Sequence, residues 1–149
     1  MKWLSIIAGL FVSAQSFAFQ CYFTLAKDSC WTNYNVSVTV TDANTEQVVT
    51  ELTVPKGQSW LRQAFECEPN MKLNYKATFN PIIWESEAGK IYPANKFWSL
   101  PETINPADSA WVVSVCYPDA FSEVPLPPTA NNKCACDFSV IPPIPPKKM

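Results

Sequence analysis

The chain is 149 residues long with a formal net charge of −2, six cysteines, fourteen prolines, three glycines and no histidine, which is one domain's worth of sequence. Without histidine there is no Ser-His-Asp or Cys-His catalytic pair and no imidazole metal ligand. A net negative charge with a single arginine, Arg62, argues against nucleic acid as a partner, because neutralising phosphates needs clustered cations.

Residues 1–18 read as an export signal. Met1-Lys2 supplies the positive start, residues 3–12 the apolar stretch, and Ser16 and Ala18 the small residues three and one before a cut. The apolar stretch is too short to span a bilayer and has no polar face, unlike a buried first helix. Bulky Phe19 and Gln20 stand before Cys21 where a lipid-attachment signal wants small residues, so the mature chain is expected to begin at Phe19 as a soluble periplasmic or secreted protein with no later membrane span. Its charge would be −3, since the signal removes Lys2 and no acid. That is a weak field that steers no charged partner over a distance.

All six cysteines, Cys21, Cys30, Cys67, Cys116, Cys134 and Cys136, lie in the mature part, and an even count in an exported chain reads as three disulfides. Fifteen connectivities are open. The favoured bridge is Cys67–Cys116, joining the ends of two expected core strands, with Cys134 and Cys136 tying the C-terminal segment to Cys21 and Cys30. The sharper reading of Cys134-Ala135-Cys136-Asp137 is a thiolate metal site or redox pair. It lacks a His or nearby Met to complete a site and the C-x-x-C spacing at a helix start, so no metal or cofactor is expected.

Along the mature chain the period is two, which is the strand signal. Residues 21–25 form a plausible strand. At 35–41 Val36, Val38 and Val40 alternate with Ser37, Thr39 and Thr41; Asp42-Ala43-Asn44-Thr45 turns the chain, and Val48, Leu52 and Val54 continue the alternation. Val54-Pro55-Lys56-Gly57 suggests a type I turn. Residues 58–67 then place Leu61, Phe65 and Cys67 opposite Arg62, Ala64 and Glu66, and 72–80 place Leu73, Tyr75, Ala77 and Phe79 opposite polar neighbours. Four strands joined by short turns predict an antiparallel meander. Residues 82–86 and 110–117 add two strands, the latter apolar on both faces as a central strand would be.

No stretch beyond the signal has a helical period, and prolines punctuate the chain too closely for long helices. The expected fold is therefore all-β: an antiparallel β-sandwich of about seven strands over 19–117, with a small β-barrel as runner-up. The antibody-type Cys…Trp…Tyr-x-Cys pattern is not met, because Cys116 follows Ser114 and Val115. Residues 118–149 hold eight of the prolines and form an extended C-terminal segment tied by Cys134 and Cys136. Within it Pro143-Ile144-Pro145-Pro146-Lys147 fits a P-x-x-P-x-K ligand pattern, but the grooves that read it are mostly intracellular.

Most mature aromatics should be core, with exceptions that define the ligand candidates. Trp60 falls on the polar face with Arg62, while Trp84, Tyr92, Phe97 and Trp98 gather around the turn at 87–90 and the loop at 93–101. Such aromatics suit sugar rings or an interface anchor, so the expectation is a non-catalytic binding module acting through Trp60, Arg62, Trp84, Tyr92 and Trp98 on an envelope or extracellular protein or a glycan. Glu66 with Glu68, or Glu85 with Glu87, could serve a small glycoside hydrolase, but alternate acids beside turns are ordinary solvated decoration. Asn35-Val36-Ser37 has the form of a glycosylation acceptor, and inside a strand it is read as a chance match.

Overall fold

The computed structural model describes residue 9, residues 19–128, residue 130 and residues 133–144. Gly9 aside, the expected export signal at 1–18 lies outside these, as do Pro145, Pro146 and Lys147 of the proline motif. Eight strands follow in chain order: β1 (Phe19–Lys27), β2 (Asn35–Asp42), β3 (Val48–Val54), β4 (Trp60–Cys67), β5 (Lys72–Asn80), β6 (Tyr92–Pro93), β7 (Trp98–Ser99) and β8 (Trp111–Tyr117). Three 3₁₀ turns, Ser29–Trp31, Glu85–Glu87 and Phe138–Val140, are the only helical elements among the described residues, and no helix there is long and apolar enough to cross a membrane.

The strands form two packed sheets, an all-β sandwich. One has the order β4-β1-β8; the other has the order β3-β2-β5-β6, with β7 also paired to β5. The alternation read from the sequence decides which side chains meet. Val36, Val38 and Val40 of β2 face inward, flanked by Val54 and Leu52 of β3 and by Phe79, Ala77 and Tyr75 of β5. On the outer face the same register brings the Ser37 and Thr53 hydroxyls to 2.8 Å.

Pairing differs from the expected meander. β2 and β3 pair as a hairpin, but the chain then crosses to the other sheet, where β4 pairs with β1, and β5 returns to β2. Alternation assigns faces and leaves the neighbour open, so a cross-sheet step looks the same in sequence as a hairpin. The turn that makes the step is also displaced by one residue. The Gln58 amide donates to the Pro55 carbonyl at 3.1 Å and Gly57 takes φ +89° at the third position, the type II arrangement that needs glycine there.

The strand at 111–117 is not central. It lies at a sheet edge, with Val112 37 % exposed and Ser114 exposed, and it runs parallel to β1, making this sheet mixed where all-antiparallel pairing was expected. β1 takes the middle and is buried continuously from Phe23 to Lys27. Residues 82–86 form no strand. Pro81 has no amide to continue the ladder, Ile82 turns out to solvent, and the chain enters the turn at Glu85–Glu87.

Three disulfides staple the sandwich: Cys21–Cys67, Cys30–Cys134 and Cys116–Cys136. The favoured Cys67–Cys116 bridge is ruled out by register. Cys67 lies opposite Phe19 and Cys116 beside Ala26, which puts them at opposite ends of β1, roughly 23 Å apart. Cys134 does join Cys30, but Cys136 joins Cys116 rather than Cys21.

Candidate functional site

Trp60 and Arg62 lie in adjacent rows across the outer face of the three-stranded sheet. Trp60, Ala26 and Cys116 form one row; Arg62, Thr24 and Ser114 form the next. The inward residues of this part of β4 are Phe65, which is buried, and Leu61, which packs partly against the core. This is the placement that alternation predicts. Trp60 is half-buried, with the Arg62 guanidinium 5.8 Å from its ring centre, a cation–π arrangement. Arg62 is held on its other side, Nε donating to Thr24 Oγ1 at 3.3 Å and Nη2 to the Pro142 carbonyl at 2.6 Å.

Pro142 belongs to the C-terminal segment, which is drawn over this face. Cys136 is bonded to Cys116 and its sulfur lies 3.5 Å from the Ala26 carbonyl oxygen. The Ser29 amide donates to the Ala135 carbonyl at 3.1 Å. Beneath the segment Thr24 and Ala26 are each 1 % exposed, although both point away from the sandwich interior. The cover leaves open a surface pocket of about 440 Å³ lined by Gly57, Gln58, Ser59, Trp60 and Leu61.

Lys27 holds this pocket loop in place, and its role carried no signal in the sequence. Its side chain is 2 % exposed. Its Nζ donates to the carbonyls of Tyr34 at 2.7 Å, Pro55 at 3.0 Å and Thr32 at 3.4 Å, while its amide donates to Ser59 at 2.8 Å. The ammonium thus replaces the water that would otherwise solvate converging carbonyls at the entry to the loop. The carbonyls favour the charged form but do not offset burial, which pulls Lys27 from 10.5 down to about 8. Burial likewise pushes the neighbouring Asp28 up, against the Cys30 amide that its carboxylate accepts at 2.9 Å.

A pH dependence of stability follows. A lysine depressed in the folded state binds fewer protons than in the unfolded chain between the two values, so stability should rise with pH from about 8 upward, by about 2 kcal/mol at pH 10. Tyr75, Tyr92 and Tyr117, all raised by burial, act the other way only above roughly pH 10, where unfolded tyrosines ionise. Urea unfolding at stepped pH would show the rise in the parent and its absence in Lys27→Met. A flat parent profile would mean that the carbonyl cage keeps the ammonium at its ordinary value.

The other candidates do not gather around Trp60. Tyr92 belongs to the core: it is 1 % exposed, stacked on Phe79 at 5.7 Å, and its hydroxyl donates to Glu87 Oε2 at 2.6 Å. Trp98 pairs opposite Leu73 and packs partly against the core. Trp84 is 41 % exposed on the loop after β5, while Phe97 sits near the opposite end of that strand under the Lys72 ammonium at 5.2 Å. The expected aromatic cluster is therefore spread along β5, because Tyr92 registers with Ala77 and Trp98 with Leu73.

The acid and thiol alternatives find little support in the geometry. The Tyr92 hydroxyl, helped by Lys90 at 3.4 Å, holds the Glu87 carboxyl below its ordinary value, whereas a general acid in glycoside hydrolysis needs a raised one. Glu66 and Glu68 lie at the far end of β4 from the pocket. Asp28, Cys30 and Cys134 bring ligand atoms within 4.8 Å of one another, but the two sulfurs are bonded to each other, so neither is a thiolate. Cys134 and Cys136 are bonded to different partners and do not form a redox pair with each other. Comparison with protein-family models and with curated proteins finds no match.

Proposed function

We propose that this chain is an exported, periplasmic or secreted binding module without catalytic activity, and that it takes a glycan at the Trp60 pocket. The observation that carries this is a half-buried indole at the wall of an open pocket of about 440 Å³. Such a pocket lies in the size range of small-ligand sites, and an aromatic ring at its wall suits the apolar face of a sugar. The apolar stretch and Ala18 of the export segment, with three disulfides that persist in an oxidising compartment, support the location.

Trp60→Ala is expected to abolish retention on a glycan array and to leave the melting temperature within a few degrees of the parent. Because Trp60 is only half-buried, its truncation should cost less than about 2 kcal/mol. Loss of folding in this variant, or unchanged retention, would return Trp60 to a structural role. An envelope or extracellular protein is the second reading. It is favoured by the loop after β5, where Ile82, Trp84 and Ile91 are 49 %, 41 % and 54 % exposed, since grouped apolar side chains in solvent mark contact surfaces.

A further inference from the structure

We propose that the Trp60 pocket selects acidic sugars, with Arg62 receiving a uronic-acid carboxylate while Trp60 stacks on the ring; this rests on the glycan reading above. Three observations combine. First, Arg62 is the protein's only arginine, and it forms no ion pair with a described carboxylate; the one ion pair among the described residues joins Lys90 to Glu87. Its recorded hydrogen bonds go to neutral acceptors, the Thr24 hydroxyl and the Pro142 carbonyl. A guanidinium has five N–H donors, so these two bonds orient the group and leave donors for a ligand.

Second, the cation is placed rather than free. The C-terminal segment holding Pro142 is anchored by Cys116–Cys136 and Cys30–Cys134, and Thr24 beneath Arg62 is buried in the central strand. Arg62 therefore has less rotamer freedom to lose on binding than an arginine in open solvent. Third, the pocket segment is locally basic in an acidic protein. Residues 55–65 read P-K-G-Q-S-W-L-R-Q-A-F, with exposed Lys56 immediately before the lining residues, Arg62 immediately after them, and no acid. A carboxylate at this position would meet a charge-assisted, potentially bidentate partner, while Gln58 and Ser59 present hydroxyl-binding polar groups to the rest of the sugar. The overall negative charge gives no long-range attraction, so the selectivity is short-range and survives moderate salt better than a steering field would.

The test is calorimetric titration of the full mature chain with uronate oligosaccharides (galacturonate, glucuronate and mannuronate series) and with the same oligosaccharides after reduction of their carboxyls to alcohols. At least one acidic series is expected to bind about tenfold or more tighter than its reduced counterpart. Arg62→Gln should remove that difference, and Lys56→Gln, which changes an exposed side chain and keeps the backbone amide that donates to Asn35 Oδ1 at 2.7 Å, should lower acidic binding by about two- to threefold. Equal affinity for the acidic and reduced forms, or a loss in Arg62→Gln that is the same for both, would overturn the acidic selectivity and leave the glycan site standing. Binding of neither form to the folded parent would overturn both together.

Discussion

Truncating Trp31 to alanine is expected to cost about 3–5 kcal/mol, enough to unfold a marginally stable domain at physiological temperature. Trp31 is 0 % exposed and sits in the turn after β1, where Asp28 caps the chain by accepting the Cys30 amide. Its indole meets Phe79 of β5 at 4.8 Å and Tyr117 of β8 at 4.9 Å, both edge-on, and Tyr34 at 5.0 Å. It therefore joins the two sheets at the end that also carries the pocket loop. Removing it leaves a cavity lined by rings that belong to different strands, and such a cavity collapses poorly. Urea unfolding followed by circular dichroism would read the loss; a cost below about 1 kcal/mol would mean the site closes over the gap and Trp31 is not the keystone of that end. Tyr117, in contact with it, already carries the one buried side-chain polar atom without a hydrogen-bond partner among the described residues, so this region has little margin.

Replacing Cys30 and Cys134 together by serine is expected to cost about 4 kcal/mol. The bridge spans a sequence separation of 104, which alone would correspond to about 4.7 kcal/mol in the chain-entropy model. The other two bridges give the unfolded chain a shorter route between these residues, which lowers the figure. The Cys116–Cys136 bridge, with a separation of only 20, should be worth about 3 kcal/mol. The two effects also differ in kind. Without Cys30–Cys134 the C-terminal segment stays tethered at Cys136 and still covers Ala26; without Cys116–Cys136 that contact opens. Chemical unfolding of both double-serine variants gives the energies, and limited proteolysis across 133–144 reads the opening. Equal stability loss with equal protease resistance would refute the assignment of separate roles.

How far the candidate site could be read in advance varies by residue. Trp60 and Arg62 were legible because strand alternation is local: with Phe65 inward, parity alone sends both side chains to the opposite face. The burial of Tyr92 was not legible, for a related reason. Tyr92 sits in a two-residue strand, too short for any alternation to show, and its burial comes from Phe79 and Glu87 reached through a loop. Lys27 and Trp31 gave no warning either. A lysine at the end of a strand is ordinarily solvated, and only the convergence of Thr32, Tyr34 and Pro55 carbonyls makes this one structural.

By itself the amino-acid sequence determined the all-β class, the inward faces of β2 and β5 and the even set of cysteines available for three bridges, because period-two patterning and turn residues act within a few positions of one another. Which strands became neighbours was settled only by tertiary structure: β1 in the middle, β8 parallel to it at the edge, β4 across from β3 rather than beside it in one sheet. The cysteine pairs followed from that choice. A disulfide needs its two Cα atoms within about 7 Å, and whether Cys67 finds Cys21 or Cys116 depends on which end of β1 each partner strand presents, a long-range register that no local pattern encodes.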